Sequence, residues 1–205
     1  MTTSVLYATA DTYVDSQAAA SNFGTGVNNI YIGDNNVSGH PSRALVQFDL
    51  SSIPVGAVCS AASLAGYANT DYANNARTWR VHRLKVDWVE TQATYNNRKT
   101  ATAWTSGGGY NSTDLDLTEL GNKSMSASEA LNEYKTADFD AYGIAELQKM
   151  WNGTYTNNGF YIKNDTETAD AYLYNTREGS NAFMLTIVWD VPGAYPVSVT
   201  PYMMA

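Results

Sequence analysis

Apolar and polar residues alternate over short runs along most of the chain, and clusters of Asn, Gly and Ser separate the runs. The segment RALVQFDLSSIPVGA, from Arg43 to Ala57, shows the unit. Its first half alternates apolar with polar or charged residues, as a half-buried strand requires, because successive side chains point to opposite faces. Its second half breaks the alternation at Pro54 and Gly56, and a proline without an amide for the ladder belongs at a corner. The same reading predicts strands near Val5–Tyr7, Thr12–Val14, Asn29–Ile32, Ala44–Asp49, Ala61–Ala68, Thr78–Leu84, Gly159–Asn164, Ala171–Tyr174 and Phe183–Trp189. Asparagine doublets at 28–29, 35–36, 74–75, 96–97 and 157–158 fall between them. Asparagine tolerates left-handed backbone and closes Asx turns, so the doublets act as punctuation. Many short strands with regular turn signals point to an all-β sandwich or barrel.

Two stretches depart from that pattern. SASEALNEYKTADF and DAYGIAELQKMWNG carry helix formers. In the second, Ile144, Leu147 and Trp151 fall on one helical face, with Asp140 placed as N-cap and Gly153 as the stop. This predicts a short amphipathic helix plugging one end of the fold. The 205 residues suit one all-β domain, read as 1–189, followed by an extended tail, 190–205. The tail's prolines at 192, 196 and 201 oppose a helix, and Tyr195, Val197, Val199, Tyr202 and Met203 make it too apolar for a disordered linker.

Charge and composition narrow the chemistry. A net charge of -8 repels polyanions and anionic membranes, so neither nucleic acid nor membrane is an expected partner. No apolar run reaches the roughly eighteen residues of a membrane span, and MTTSVLYATADTYVD lacks the basic and apolar regions of a secretory signal. Cys59 is the single cysteine, which leaves no internal disulfide or Cys-based metal site. His40 and His82 are the only histidines and read as surface or packing residues. Acidic groups occur at Asp11 with Asp15, Asp114 with Asp116, and Asp165 with Glu167 and Asp170. No nucleophile motif or paired base accompanies them, so no catalytic residue is assigned. DLDLTE lacks the glycine and distal glutamate of an EF-hand loop.

The ordered blocks ADTYVD, SNFGTG, IYIGD, RALVQFDLSSIPVGAVCSAASL, VDWVETQATYNNR, AWTSGGG, IAELQKMWNG, NNGFYIKND and YNTREG resemble those of the DNRLRE domain, which is similar to carbohydrate-binding module family 96. The resemblance runs from about Ala10 to Trp189. It implies a jelly-roll β-sandwich, to which the two stretches above add one or two short helices; the two histidines, the single cysteine and the missing nucleophile or metal motif predict no enzymatic activity. It also implies a core placement for Leu45 or its neighbours, Trp88 and Tyr95 as anchors, and Arg98 free to pair with an acid. No cofactor is implied, though the rim of such a sandwich has room for a structural calcium.

Aromatic residues make up 12% of the chain. Their faces suit the apolar faces of pyranose rings, with polar neighbours holding the hydroxyls. Tyr67, Tyr72, Trp79, Tyr110, Tyr172 and Arg177 are the candidate polysaccharide-binding residues. The expectation is a non-enzymatic surface protein, specifically an accessory or decoration protein of a phage virion, self-associating or attaching to a capsid protein through Tyr195, Val197, Val199, Tyr202 and Met203. The alternative is a carbohydrate-binding module from a secreted, hence extracellular, polysaccharide-degrading enzyme.

Overall fold

The computed structural model describes residues 1–25, 29–34, 39–72, 75–167 and 171–193. Twelve strands, one α-helix and a short 3-10 turn are present among them: β1 (Thr2–Asp15), β2 (Asn29–Asp34), β3 (Pro41–Phe48), β4 (Val58–Asp71), β5 (Arg77–Arg83), β6 (Asn97–Lys99), β7 (Thr102–Ala103), β8 (Gly121–Met125), β9 (Glu133–Phe139), α1 (Ala141–Trp151), β10 (Phe160–Asn164), β11 (Ala171–Asn175) and β12 (Met184–Asp190), with the turn at Gly107–Gly109. The tail residues Tyr195, Val197, Val199, Tyr202 and Met203 lie outside the described residues.

The all-β expectation holds, but the jelly-roll sandwich does not. Strands β1–β12–β4–β9–β8–β5–β10–β3 form a chain of antiparallel pairs, and β3 pairs back onto β1. The sheet therefore closes into an eight-stranded barrel with no free edge in that circuit. Length makes closure feasible. β1 pairs with β12 over Thr2–Tyr7 and then, past a register shift near Ala8, with β3 over Ala8–Asp15. β4 holds β12 and then β11 along one edge and β9 along the other, over Ser63–Ala68. A second hydrogen-bonded path, β3–β2–β11–β4, joins β3 to β4.

The segment SASEALNEYKTADF is a second correction. Its first part is turn, and Glu133–Phe139 is strand β9, not helix. Lys135, Ala137 and Phe139 alternate inward while β9 pairs with β4, so sheet closure outweighs weak helix propensity. The helix over the following segment forms. Asp140 caps it, its carboxylate accepting the Gly143 amide at 2.8 Å, and Gly153 ends it at φ 76°. Leu147, Met150 and Trp151 are buried, and the helix packs on β4 and β9.

Two cores result. The barrel interior holds Ile30, Ile32, Val46, Phe48, Trp79, Phe160, Tyr172, Tyr174 and Phe183 among others. A second, on the outer side of the wall, contains Val14, Leu45 and Tyr161 from β1, β3 and β10. Trp88, Ala93, Trp104 and Leu115, from the excursion between β5 and β8, cover it. β3 is thus buried on both faces: Ala44, Val46 and Phe48 point into the barrel, and Leu45 into the outer core. The Trp88 indole donates to the Asn158 carbonyl at 2.9 Å, and Arg98 pairs with Asp87.

Trp79 is fully buried and stacks on Tyr174, ring centroids 5.6 Å apart and planes 11° from parallel. Truncating it leaves a cavity between Tyr174 and Phe183. Trp79→Ala is expected to cost about 3–5 kcal/mol in urea unfolding, the range for buried aromatic-to-alanine changes; a loss below about 1 kcal/mol would contradict this packing.

Candidate functional site

The outer face of β3, β10 and β5 carries a row of cations: Arg43, Lys163 and Arg80. Antiparallel register places Lys163 opposite Arg80, and Arg43 follows on β3 beside the Ala44↔Ile162 pair. Each cation has a carboxylate. Glu167 accepts Nε and Nη2 of Arg43 at 2.8 and 2.9 Å and lies 3.9 Å from the Lys163 ammonium, while Glu119 pairs with Arg80. Burial pushes the Lys163 ammonium below its ordinary value. The Arg80 side chain is 36% exposed and is the most accessible of the three.

Aromatic rings cap this row. Tyr110 has the Lys163 ammonium 5.0 Å and the Arg43 guanidinium 5.6 Å from its ring centroid, and Tyr95 has Arg43 at 5.9 Å. Tyr110 also stacks on buried Tyr161 at 6.2 Å and meets His82 edge-on at 5.7 Å. The rest of its surface, 38% of the residue, is open to solvent.

A glycine triplet sets the position of Tyr110. The Gly108 carbonyl accepts the Tyr161 hydroxyl at 2.6 Å, and the Gly108 amide donates to the Tyr95 carbonyl at 2.7 Å. Gly108 sits at φ 70°, and a Cβ there would lie 2.5 Å from the Tyr95 ring and 2.8 Å from Arg43. Only glycine lets the chain turn so close to those groups. Beyond His82, Arg83, Lys85, Ser112 and residues 115–118 border an open groove of about 310 Å3, at the small end of ligand sites. Arg83 is held there by Glu146 at 3.1 Å and Asp116 at 3.5 Å. Asp116 also accepts the Tyr142 hydroxyl at 2.6 Å. Asp114 is occupied with turn building, accepting from Thr105 and Asn111.

The structure disperses the other candidate residues. Trp79 and Tyr172 are wholly buried and show no ring face to solvent. Tyr172 lies under the Arg77 guanidinium at 4.8 Å. Tyr67 is half-buried on the opposite wall of the barrel, edge-on to Tyr134 at 5.4 Å. Tyr72, 41% exposed, stacks on Tyr31 at 6.1 Å. Of the six, Tyr110 alone lies on the cation row; Arg43, Arg80 and Lys163 come from three strands and were not singled out. Their juxtaposition arises from register, which no local pattern displays.

Arg177 belongs to a second cluster. Its guanidinium makes two bonds to Glu90, at 2.7 and 2.6 Å, and lies 3.1 Å from Glu178. Its backbone amide donates to Asp11 Oδ2 at 2.8 Å, and the Asp11 amide donates to Glu90 Oε1 at 2.8 Å. The Asn22 amide group donates to the carbonyls of Glu90 and Ala93, both at 2.7 Å. Gly24 rests against Glu90, where a Cβ would lie 1.9 Å from the carbonyl oxygen. Four sequence blocks, ADTYVD, SNFGTG, VDWVETQATYNNR and YNTREG, thus meet at one point. Burial, the largest influence, pushes the Asp11 carboxyl up to about 7.

No curated protein matches the chain. The sequence profile of carbohydrate-binding module family 96 matches residues 2–188. That span takes in the eight strands of the closed circuit except the last two residues of β12, the excursion bearing Tyr95 and Tyr110, and the Glu90 cluster. Such families bind glycans without transforming them, which accords with an exposed tyrosine set among paired charges. The chain belongs to carbohydrate-binding module family 96.

Proposed function

We propose that this chain binds a polysaccharide on the outer face of β3, β10 and β5, with Tyr110 as the stacking platform, and that it does so without catalysis. The exposed Tyr110 ring beside paired Arg and Glu groups carries the reading. A pyranose laid on the ring places its C–H face against the π surface and its hydroxyls toward the rim. Arg80 and Glu119 supply a donor and an acceptor there, and neither must change its charge to bind. The groove beside Arg83 extends the surface for a longer chain. The face is also rigid, because the carbonyl of Gly108, two residues from Tyr110, accepts the buried Tyr161 hydroxyl.

This reading serves a virus-particle accessory protein and an enzyme appendage alike, since each uses such a module to hold a surface near a glycan. Tyr110→Ala should weaken binding by tenfold or more on a glycan array and in titration with the best-bound oligosaccharide, the loss of about 1.4 kcal/mol or more. The melting temperature should change little, because the ring is partly exposed. Binding equal to the parent would remove this face from the function.

His82, packed edge-on beneath Tyr110, adds a pH dependence. Burial pushes its imidazole below the ordinary value of 6.5. The unfolded chain therefore takes up the proton first, and stability falls as pH drops from about 6.5 toward the lower folded value. Denaturant titrations at several pH values between about 7 and 5 should show a shallower decline for His82→Gln than for the parent. Equal slopes would mean that the imidazole is not desolvated in the folded protein.

A further inference from the structure

The second acidic cluster has an arrangement that the hydrogen bonds do not complete. Asp11, Glu90 and Glu178 each offer a carboxylate oxygen, and the three oxygens lie within 4.8 Å of one another. They come from β1, from the excursion after β5, and from the turn between β11 and β12. Asp11 is 1% exposed. Its Oδ2 accepts the Arg177 amide, but its Oδ1 is buried and has no hydrogen-bond partner. A buried carboxylate oxygen without a donor is costly, and a metal ion is one of the few groups that satisfies it.

Charge points the same way. The charged groups that act most on Asp11 are Glu178, Glu90 and Arg177, and those that act most on Arg177 are Glu90, Glu178 and Asp11. Three carboxylates against one guanidinium leave two negative charges when all are ionised, the complement of one divalent cation. Arg177 already orients Glu90 through two bonds, as an outer partner holds a ligating carboxylate. Glu178 is exposed, so water can fill the remaining coordination positions.

We propose that Asp11, Glu90 and Glu178 bind one divalent cation, with calcium preferred over magnesium. Calcium accepts six to eight oxygens in irregular geometry, which suits mixed buried and exposed carboxylates from three segments; magnesium demands a near-ideal octahedron. The bound ion ties β1 to the two excursions and stabilises the folded chain by mass action.

The test is calorimetric titration of chelator-treated protein with calcium chloride and, separately, magnesium chloride, paired with thermal unfolding in each salt. Calcium should bind at one site per chain and raise the melting temperature by several degrees, with magnesium weaker. Glu178→Gln should bind calcium about tenfold or more weakly, the scale on which ligand charge tunes such sites. Its metal-free melting temperature should lie close to the parent's, because the residue is at the surface and its pair with Arg177 is solvent-screened. Asp11→Asn should abolish binding. If that variant fails to fold, Glu178→Gln alone decides. Absence of a calcium heat and of a melting shift would overturn the site, as would Glu178→Gln binding as tightly as the parent. Magnesium binding as tight as calcium would overturn the preference for calcium.

Discussion

The Glu90 carboxylate, fixed by Arg177 and by the Asp11 amide, is the contact on which the binding face depends. Residues 84–116 leave the barrel after β5 and return at β8, a long excursion with only β6, β7 and a 3-10 turn of its own. Such a segment stays ordered only if its ends and its middle are tied down. Trp88, Ala93, Trp104 and Leu115 tie it through the outer core, and Glu90 locks it laterally to β1 and to the β11–β12 turn. Asn22 and Gly24 complete the lock by closing on the Glu90 carbonyl. Most of these partners are buried or half-buried, so the bonds carry more weight than surface pairs.

Barrel closure and the binding face are linked through this excursion. Because β3 has apolar residues on both faces, its outer side needs a cover, and residues 84–116 provide one. Toward Asp15 and Pro41 the cover ends and the wall turns from Leu45 and Tyr161 to Arg43 and Lys163. Tyr95 and Tyr110 sit at that boundary, anchored from behind by the outer core and facing the charged row. The face is thus the margin of a second core and not a separate element, which explains how a shallow site of a strongly acidic protein can hold three cations in place.

The sequence displayed the strands whose alternation is strong. β3, β5 and β10 to β12 appear close to their expected bounds, as does α1 with its Asp140 cap. Closure was hidden because it depends on pairings far apart in the chain: β1 read as two short strands around Ala8–Ala10, where its partner changes from β12 to β3. β9 carries helix formers and reveals its period only through Lys135, Ala137 and Phe139 facing inward. Among the site residues, RTWRVH already places Trp79 with Val81 on the apolar side of β5, so its burial was legible in the alternation. Tyr172 was not, since AYLYN is apolar on both faces and nothing local says which face the barrel takes. Tyr110 stands out as an aromatic after a glycine run, whereas Arg43, Lys163 and Arg80 acquire meaning only when register sets three strands side by side.

The central claim is the location of the glycan on the face held by residues 84–116. The most direct measurement is amide chemical-shift mapping by NMR during titration with the oligosaccharide that binds best. The account predicts that the largest shifts fall on Tyr95, Gly107 to Tyr110, Arg80 and Lys163. Shifts concentrated on the opposite wall, around Tyr7, Tyr67 and Tyr134, with the Tyr110 face unmoved, would contradict it.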